Sequence, residues 1–337
     1  MPTISLSTGG QFSSADGQSL LDAGTQADVV LPYSCKIGRC SSCKCKVLSG
    51  KTYTLHDELG LSAREKAAGW VLSCVRSATT DIYLEVEDFG STILPSVKKL
   101  PCRIHRLEKL AVDVLRVVLR IPPTQGFDFF PGQYIEVLKQ GGARRSYSLA
   151  NSSAANSLLE LHIRFIPKGI MSEYWFSCAK LNDLLWLNGP LGTFFLRNVA
   201  QRDLVFLATG TGFAPVKSML ESLGHFSAQQ MPRSVNVFWG GRTPEDLYWD
   251  LSSLAGTYNY VPVLSRANNN WDGVRGYVQN ALIRKSLNLD KAVVFACGSE
   301  AMIDSARQLL NAKGLPEHRF FSDAFVCSSS SLLSFEA

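Results

Sequence analysis

Three cysteines in one short loop, Cys35-Lys-Ile-Gly-Arg-Cys40-Ser-Ser-Cys43, constrain this chain more than any other feature. A Cys-x4-Cys-x2-Cys spacing commits the backbone to wrapping around whatever the thiols hold, and Cys74, in VLSCVRSA, offers a fourth thiol from a distant strand or turn. The spacing is that of a [2Fe–2S] site, because two irons need four thiolates, three of which one loop can supply while aiming its N–H groups at the sulfurs. Gly38 relaxes the backbone where the loop curls, and the small Ser41 and Ser42 allow close approach. The alternatives are a zinc site or free thiols with accidental spacing. Zinc sites usually pair two Cys-x2-Cys knuckles, and the distal half here has one cysteine. Nine cysteines is an odd count, which fits a metal site in a reducing cytoplasm better than a secreted disulfide framework. Cys45, Cys102, Cys178 and Cys327 are expected to be ordinary free thiols.

At 337 residues the chain is long enough for two or three domains, at roughly 100 to 200 residues each. With 46% hydrophobic and 19% charged residues it has material for real cores, and a net charge of +5 without a basic block gives no nucleic-acid arm. No apolar run is long enough to span a membrane, and the N-terminus MPTISLSTGG lacks a signal-peptide pattern, so a cytoplasmic protein is expected. Three regions differ in periodicity. Residues 1–93 alternate short strands with turns and a short helix near Ser19–Thr25, an α+β pattern. Residues 94–101, LPSVKKLP, look like a linker. Residues 102–198 read as six strands, the pattern of a closed antiparallel β-barrel. From 199 to 327 apolar runs such as DLVFLATGTG and KAVVFACGS alternate with helical stretches, which predicts an α/β doubly wound sheet. Residues 328–337 form a low-complexity tail. The fold class expected is therefore multidomain.

In the β-rich region Arg145-Ser146-Tyr147-Ser148 has an Arg-x-Tyr-Ser form. The face of Tyr147 can pack on a flat ring system, the hydroxyl of Ser148 can hydrogen-bond to it, and the fork of Arg145 suits a phosphate. Alone, four such residues are as compatible with plain strand surface. About twenty residues on, Gly169-Ile170-Met171-Ser172 precedes a helix whose free N–H groups can hold a pyrophosphate, unless Ser172 is only an N-cap. Arg164 is a further candidate for a phosphate contact, or an exposed strand residue. With PGQY (Pro131 to Tyr134) and NGPLG (Asn188 to Gly192), the two motifs resemble the flavin-binding pattern of the ferredoxin–NADP reductase superfamily, and residues 1–93 resemble a plant-type ferredoxin domain. The resemblance, and no physical argument from these residues, implies FAD over FMN.

The next motif sets an apolar strand, Leu204 to Ala208, before Gly210-Thr211-Gly212-Phe213-Ala214-Pro215 and a helix, the arrangement that cradles phosphates. Pro215 stands where a GxGxxG fingerprint wants glycine, so the turn departs from that pattern and is instead similar to the GTGxAP turn of the same superfamily. Cys297-Gly298 ends another apolar strand at the same sheet edge, and the resemblance implies a nicotinamide beside it. Phe325, in Ser322-Asp323-Ala324-Phe325, resembles the C-terminal aromatic that covers the flavin, against the simpler reading of a core phenylalanine. Ser148, Cys297 and Phe325 are thus the residues expected nearest the reacting rings. NADH and NADPH are not separated: Arg242 and Arg266 favour a 2′-phosphate while Glu245 and Asp246 oppose it, and NADH is weakly preferred.

A hydride carries two electrons and a [2Fe–2S] cluster takes one, so a flavin between them is the required converter. The expected activity is NAD(P)H:acceptor reductase, from nicotinamide through FAD to the cluster held by Cys35, Cys40, Cys43 and Cys74, then to a partner protein. Over nearly the whole chain YSCKIGRCSSCKCKVLSG, RRSYSLAN, LELHIR, MSEYWF and NGPLGTFFL resemble the CDP-6-deoxy-3,4-glucoseen reductase family. That resemblance implies as acceptor a nucleotide-sugar C3 dehydrase dependent on pyridoxamine phosphate. Reductase components of aromatic-ring-hydroxylating and related oxygenases share the motifs, with an oxygenase or its ferredoxin as acceptor. A redox sensor without turnover is the alternative of another class. Lys36, Arg39, Lys44 and Lys46 around the loop would steer an acidic partner, or form only a solvated face.

Overall fold

The computed structural model of the chain describes residues 1–87, 89–90, 92–254, 256–285 and 287–326. Cys327 and the tail 328–337 lie outside the described residues. Three sheets of four or more strands follow one another along the chain.

The first has the strand order Gln11–Ser13, Thr3–Leu6, Ile82–Glu85, Lys44–Ser49, Trp70–Leu72. Thr3–Leu6 and Gln11–Ser13 form the hairpin that their intervening Thr-Gly-Gly turn favours. The helix runs Leu20–Gln26, one residue later than expected, because Ser19 is its cap and accepts from the Asp22 N–H at 3.0 Å. Pairing of Lys44 with Leu72 carries the chain just after Cys43 alongside the turn Ser73–Val75, so Cys74 arrives beside Cys43.

The second sheet is antiparallel and contains all six expected strands: Arg144–Ser148, Tyr134–Leu138, Leu184–Leu191, Lys98–Ala111, Val114–Arg120 and Leu158–Arg164, in that order. Its edges meet at a single bridge between Leu149 and Leu161. Alternate residues, among them Ile104, Val117, Leu119, Ile135, Val137 and Leu161, fill its core. The strand starting at Lys98 lies partly inside the segment expected to be a linker. Lys98 to Pro101 pair with Gly189 to Trp186 on one flank, while pairing on the other flank starts at Arg103, so Pro101 sits where a missing N–H costs least.

The third sheet is wholly parallel, ordered Val274–Arg275, Asn259–Leu264, Ser234–Gly241, Asp203–Thr209, Ala292–Gly298, Phe320–Ala324. The chain winds outward from Asp203–Thr209, then returns to lay Ala292–Gly298 on its other side, with helices Phe213–Leu223, Val278–Arg284 and Glu300–Ala312 between strands. The crevice between these two strands is the switch point at which such sheets bind ligands. The backbones there touch: a Cβ on Gly298, at φ +137°, would fall 2.1 Å from Thr209 Oγ1, and one on Gly212 would fall 2.3 Å from the Cys297 carbonyl oxygen. No helix among the described residues is long and apolar enough to cross a membrane.

Gly298→Ala is expected to cost at least about 1–2 kcal/mol, since alanine meets both a left-handed backbone and an occupied volume. A lower urea midpoint checks this, and an unchanged midpoint would mean that the crevice relaxes freely.

Candidate functional site

The loop curls where the glycine was expected to permit it. Gly38 has φ +72° and a Cβ there would lie 2.5 Å from the Asp57 carbonyl, while its own carbonyl accepts from Gly60 N–H at 2.9 Å. The four thiols arrive two and two. Cys43 Sγ lies 3.3 Å from Cys74 Sγ, and Cys40 Sγ lies 3.4 Å from the Cys35 backbone nitrogen, with Ile37 and Cys40 N–H donating to Cys35 Sγ at 3.5 and 3.4 Å. In each pair one thiol is driven toward thiolate at the other's expense. The hydrogen bond from Cys40 is the main cause bringing Cys35 down to about 6, and the same bond raises Cys40; likewise Cys43 lowers Cys74 and is itself raised. Among the described residues no three His, Cys, Asp or Glu side chains are grouped to hold a single ion. Paired sulfurs with N–H groups aimed at them suit two irons better than one tetrahedral metal. Cys45 is buried in the same core as Cys43 and Cys74, with burial pushing its thiol up to about 12.

Cys35 also lines a cavity of about 260 Å³, to which the cluster loop and the regions of the second and third sheets contribute. Arg145, Tyr147, Ser148, His162 and Arg164 come from the second, and Thr211, Asp323 and Phe325 from the third. The Arg-x-Tyr-Ser strand thus faces the glycine turn and the first cysteine across one space. Tyr147 is braced by Trp175, whose indole N–H donates to its hydroxyl at 2.9 Å, and burial pushes that hydroxyl up to about 12. Arg145 donates to the Val326 carbonyl at 2.9 Å, and both residues line the cavity. Phe325, 37% exposed, stands at this wall and is no core residue; its N–H is held by the Gly298 carbonyl at 2.8 Å.

Other expected positions fall elsewhere. Gly169, and not Ser172, occupies the cap position of a four-residue helix, Ile170–Glu173. Ser172 Oγ instead accepts from Ile166 N–H at 2.6 Å, and Met171 is buried in the core of the second sheet, so neither side chain lines the cavity. The reason is local: the segment turns tightly and closes its own hydrogen bond before the helix starts. Cys297 is fully buried in the core beneath the crevice and does not line this cavity, and burial raises its thiol well above the ordinary value. Gly210, at φ +53°, lies under Arg164: a Cβ there would be 2.7 Å from Arg164 Nη1. Arg164 is itself held by Asp113 at 2.7 Å and by Asp246. Asp246 also accepts from the Arg242 backbone N–H at 2.7 Å, so its carboxylate is occupied, whereas Arg242 and Arg266 stand on adjacent chain segments, with Arg266 N–H donating to the Arg242 carbonyl at 2.9 Å. Pro215 lies in the first turn of Phe213–Leu223, where no N–H is needed. Of the four basic residues around the loop, Lys44 is committed to Glu65 and Glu317 at 3.1 and 2.9 Å and is 10% exposed, and Arg39 lies 4.0 Å from Glu300; both face neighbouring acids of the chain itself.

Sequence reasoning missed two groups. Asp323 is buried, accepts from Ser34 Oγ at 2.5 Å, and burial raises its carboxyl to about 6 against that bond. An acid within the buried strand FFSDA was the available signal. The second group joins the second and third sheets: Glu160 contacts Arg116 at 2.7 Å, His162 Nε2 at 2.9 Å and Lys217 at 3.2 Å, and Tyr248 OH lies 3.1 Å from His162 Nδ1. His162 stood in the quoted LELHIR, but sequence offered no partner for it.

Burial alone would raise Glu160, yet the bond from His162 and the charge of Lys217 outweigh it and hold the carboxyl near 2, below its ordinary 4.5. A group depressed on folding stabilises the fold above its unfolded value and loses that contribution as pH falls through the folded one. Glu160→Gln is therefore expected to cost about 3–5 kcal/mol at neutral pH, with the gap from wild type closing between pH 4.5 and about 2. Urea midpoints of both proteins across this range check it.

Comparison with known proteins matches three family models in order: a 2Fe-2S iron-sulfur cluster binding domain over residues 5–79, an oxidoreductase FAD-binding domain over 101–196 and an oxidoreductase NAD-binding domain over 206–308. The chain is 38% identical over 330 residues to the CDP-6-deoxy-L-threo-D-glycero-4-hexulose-3-dehydrase reductase of Yersinia pestis, covering 96% of this chain and 98% of that protein. It is 31% identical to the terephthalate 1,2-dioxygenase reductase component 1 of a Comamonas species, covering 94% and 95%. Among solved structures, the Amycolatopsis cytochrome P450 reductase GcoB superposes with a TM-score of 0.75 at 27% identity, covering 98% of this chain and all of that one.

Proposed function

Because the chain belongs to the CDP-6-deoxy-3,4-glucoseen reductase-like branch of the ferredoxin–NADP reductase superfamily, we propose that it delivers electrons to a nucleotide-sugar C3 dehydrase in deoxysugar synthesis. It is an NAD(P)H:acceptor oxidoreductase with a [2Fe–2S] domain, an FAD domain and a nicotinamide domain. When bound, these groups supply hydride uptake and release of single electrons, and the protein supplies binding and orientation.

On this reading Cys35 and Cys40 hold one iron and Cys43 and Cys74 the other. The six-stranded antiparallel sheet is a barrel whose edges meet at the Leu149–Leu161 bridge. Tyr147, held from behind by Trp175, and Ser148 orient the flavin ring, Arg145 takes its phosphate, and Phe325 covers it. Gly210, Thr211 and Gly212 cradle the nicotinamide dinucleotide's phosphates, with Gly298 giving the crevice its depth. The domains are assigned as 1–93, 102–198 and 199–327. The observation that carries the reading is the shared cavity: one wall is Cys35, another the Arg-x-Tyr-Ser strand, and a third the glycine turn with Asp323 to Val326. Support for the dehydrase as acceptor is the 38% identity over nearly the full length of both chains, against 31% to the dioxygenase reductase.

Two measurements test this. Cys40→Ser is expected to abolish NADH-driven cytochrome c reduction while sparing ferricyanide reduction; if both survive, the cluster is not the exit port. Purified reductase, NADH and a pyridoxamine-phosphate-dependent C3 dehydrase with its nucleotide sugar should yield the 3-deoxy product over many turnovers. Turnover with an oxygenase component, and none with the dehydrase, would transfer the assignment to the oxygenase reductases.

A further inference from the structure

Domains joined by short linkers move relative to each other unless something specific holds them. Here two of the holding groups, Arg197 and Thr193, lie outside the cofactor cavity. Arg197, just after the last strand of the flavin domain, spends its guanidinium on all three domains. It forms a bidentate pair with Glu87 at the end of the cluster domain, and donates to the carbonyls of Thr193 and Phe195 at 2.7 and 2.9 Å. Its central carbon Cζ lies 4.1 Å from the ring centre of Phe321 in the nicotinamide domain and 4.9 Å from that of Phe89. Such a planar fork meets several acceptors and rings at once, which a lysine ammonium does not. Four residues earlier, Thr193 closes on the cluster loop: Tyr33 N–H donates to Thr193 Oγ1 at 2.9 Å, and Thr193 N–H donates back to the Tyr33 carbonyl at 3.0 Å. The next residue, Ser34, is fixed through its carbonyl by Tyr134 OH at 2.6 Å and through its hydroxyl by Asp323. Cys35 follows directly.

We propose that Arg197 and Thr193 are positioning residues for electron delivery from flavin to cluster, locking the three domains into one body so that Cys35 stays in the cavity wall and no domain swing is required. The proposal rests on the electron path given above. In the step concerned the reduced flavin loses one electron and one iron goes from ferric to ferrous; the nicotinamide hydride has supplied the pair, and the flavin proton leaves to solvent when both electrons have gone. Electron transfer falls off exponentially with the separation of donor and acceptor, so partners no longer held at their docked spacing exchange electrons more slowly.

The test uses the holoenzyme and its Arg197→Met and Thr193→Val variants, mixed anaerobically with NADH in a stopped flow across a sucrose viscosity series. Amide exchange at Tyr33 is read in parallel. In wild type, cluster bleaching should follow flavin bleaching at a rate independent of viscosity. In the variants flavin bleaching by NADH should be unchanged, Tyr33 exchange faster, and cluster bleaching slower by about tenfold or more and now viscosity-dependent. Should Arg197→Met fail to fold, Thr193→Val, which loses one hydroxyl, still decides the matter. A variant with faster Tyr33 exchange and an unaltered cluster rate overturns the proposal, as does a viscosity-limited rate in wild type. Wild-type flavin bleaching with no cluster bleaching at all would instead sink the electron path itself.

Discussion

The first cysteine of the cluster loop must lie in the wall of a cavity that two other domains build, and the rest of the structure answers to that requirement. Tyr33 and Ser34 meet it with backbone and side-chain hydrogen bonds to Thr193, Tyr134 and Asp323, immediately before Cys35. A buried hydrogen bond nets only about 0.5–1.5 kcal/mol, but leaving one of these groups unpaired costs more, so the seam specifies position more than it adds stability. The same economy explains the glycines. Gly38 lets the loop curl against Asp57, and Gly212 and Gly298 let two strand ends interlock at the switch point.

Charge serves the seams as well. Lys44 bridges the cluster domain to Glu317, Arg197 ties in Glu87, Arg164 joins Asp113 to Asp246, and Lys217 reaches Glu160 from the helix behind the glycine turn. Basic residues near an electron-transfer loop invite a reading as a docking surface for an acidic partner. Here much of that charge is already spent within the chain, which leaves Lys36 and Lys46 as the steering candidates of the original four. Pairs of this kind, wholly or partly shielded from solvent, contribute little net stability but penalise any arrangement that separates them, so they favour a single docked geometry.

How much of this was legible follows from the range of each interaction. The cysteine spacing, the six alternating strands and the apolar runs of the parallel sheet are local patterns, and each appeared where the sequence placed it. The Arg-x-Tyr-Ser strand and Phe325 line one cavity, although 180 positions of chain separate Arg145 from Phe325 and only their resemblance to a known pattern linked them. The side chains of Ser172 and Cys297 do not line that cavity, because orientation at a turn or strand end depends on one or two dihedral angles that spacing does not encode: the serine accepts from Ile166 N–H, and the thiol is buried in the core. Asp323, Glu160 and Arg197 were invisible as functional residues because their partners lie 289, 57 and 110 positions away, at Ser34, Lys217 and Glu87. Such pairings exist only once three domains are docked.

The central claim is that nicotinamide, flavin and cluster form one electron path within a single docked body. Its most direct measurement is low-temperature EPR of the anaerobic holoenzyme frozen after one equivalent of NADH. The account predicts the rhombic signal of a reduced [2Fe–2S] cluster, appearing with bleaching of the flavin and without any added mediator. Full flavin reduction with an EPR-silent, still oxidised cluster would contradict it.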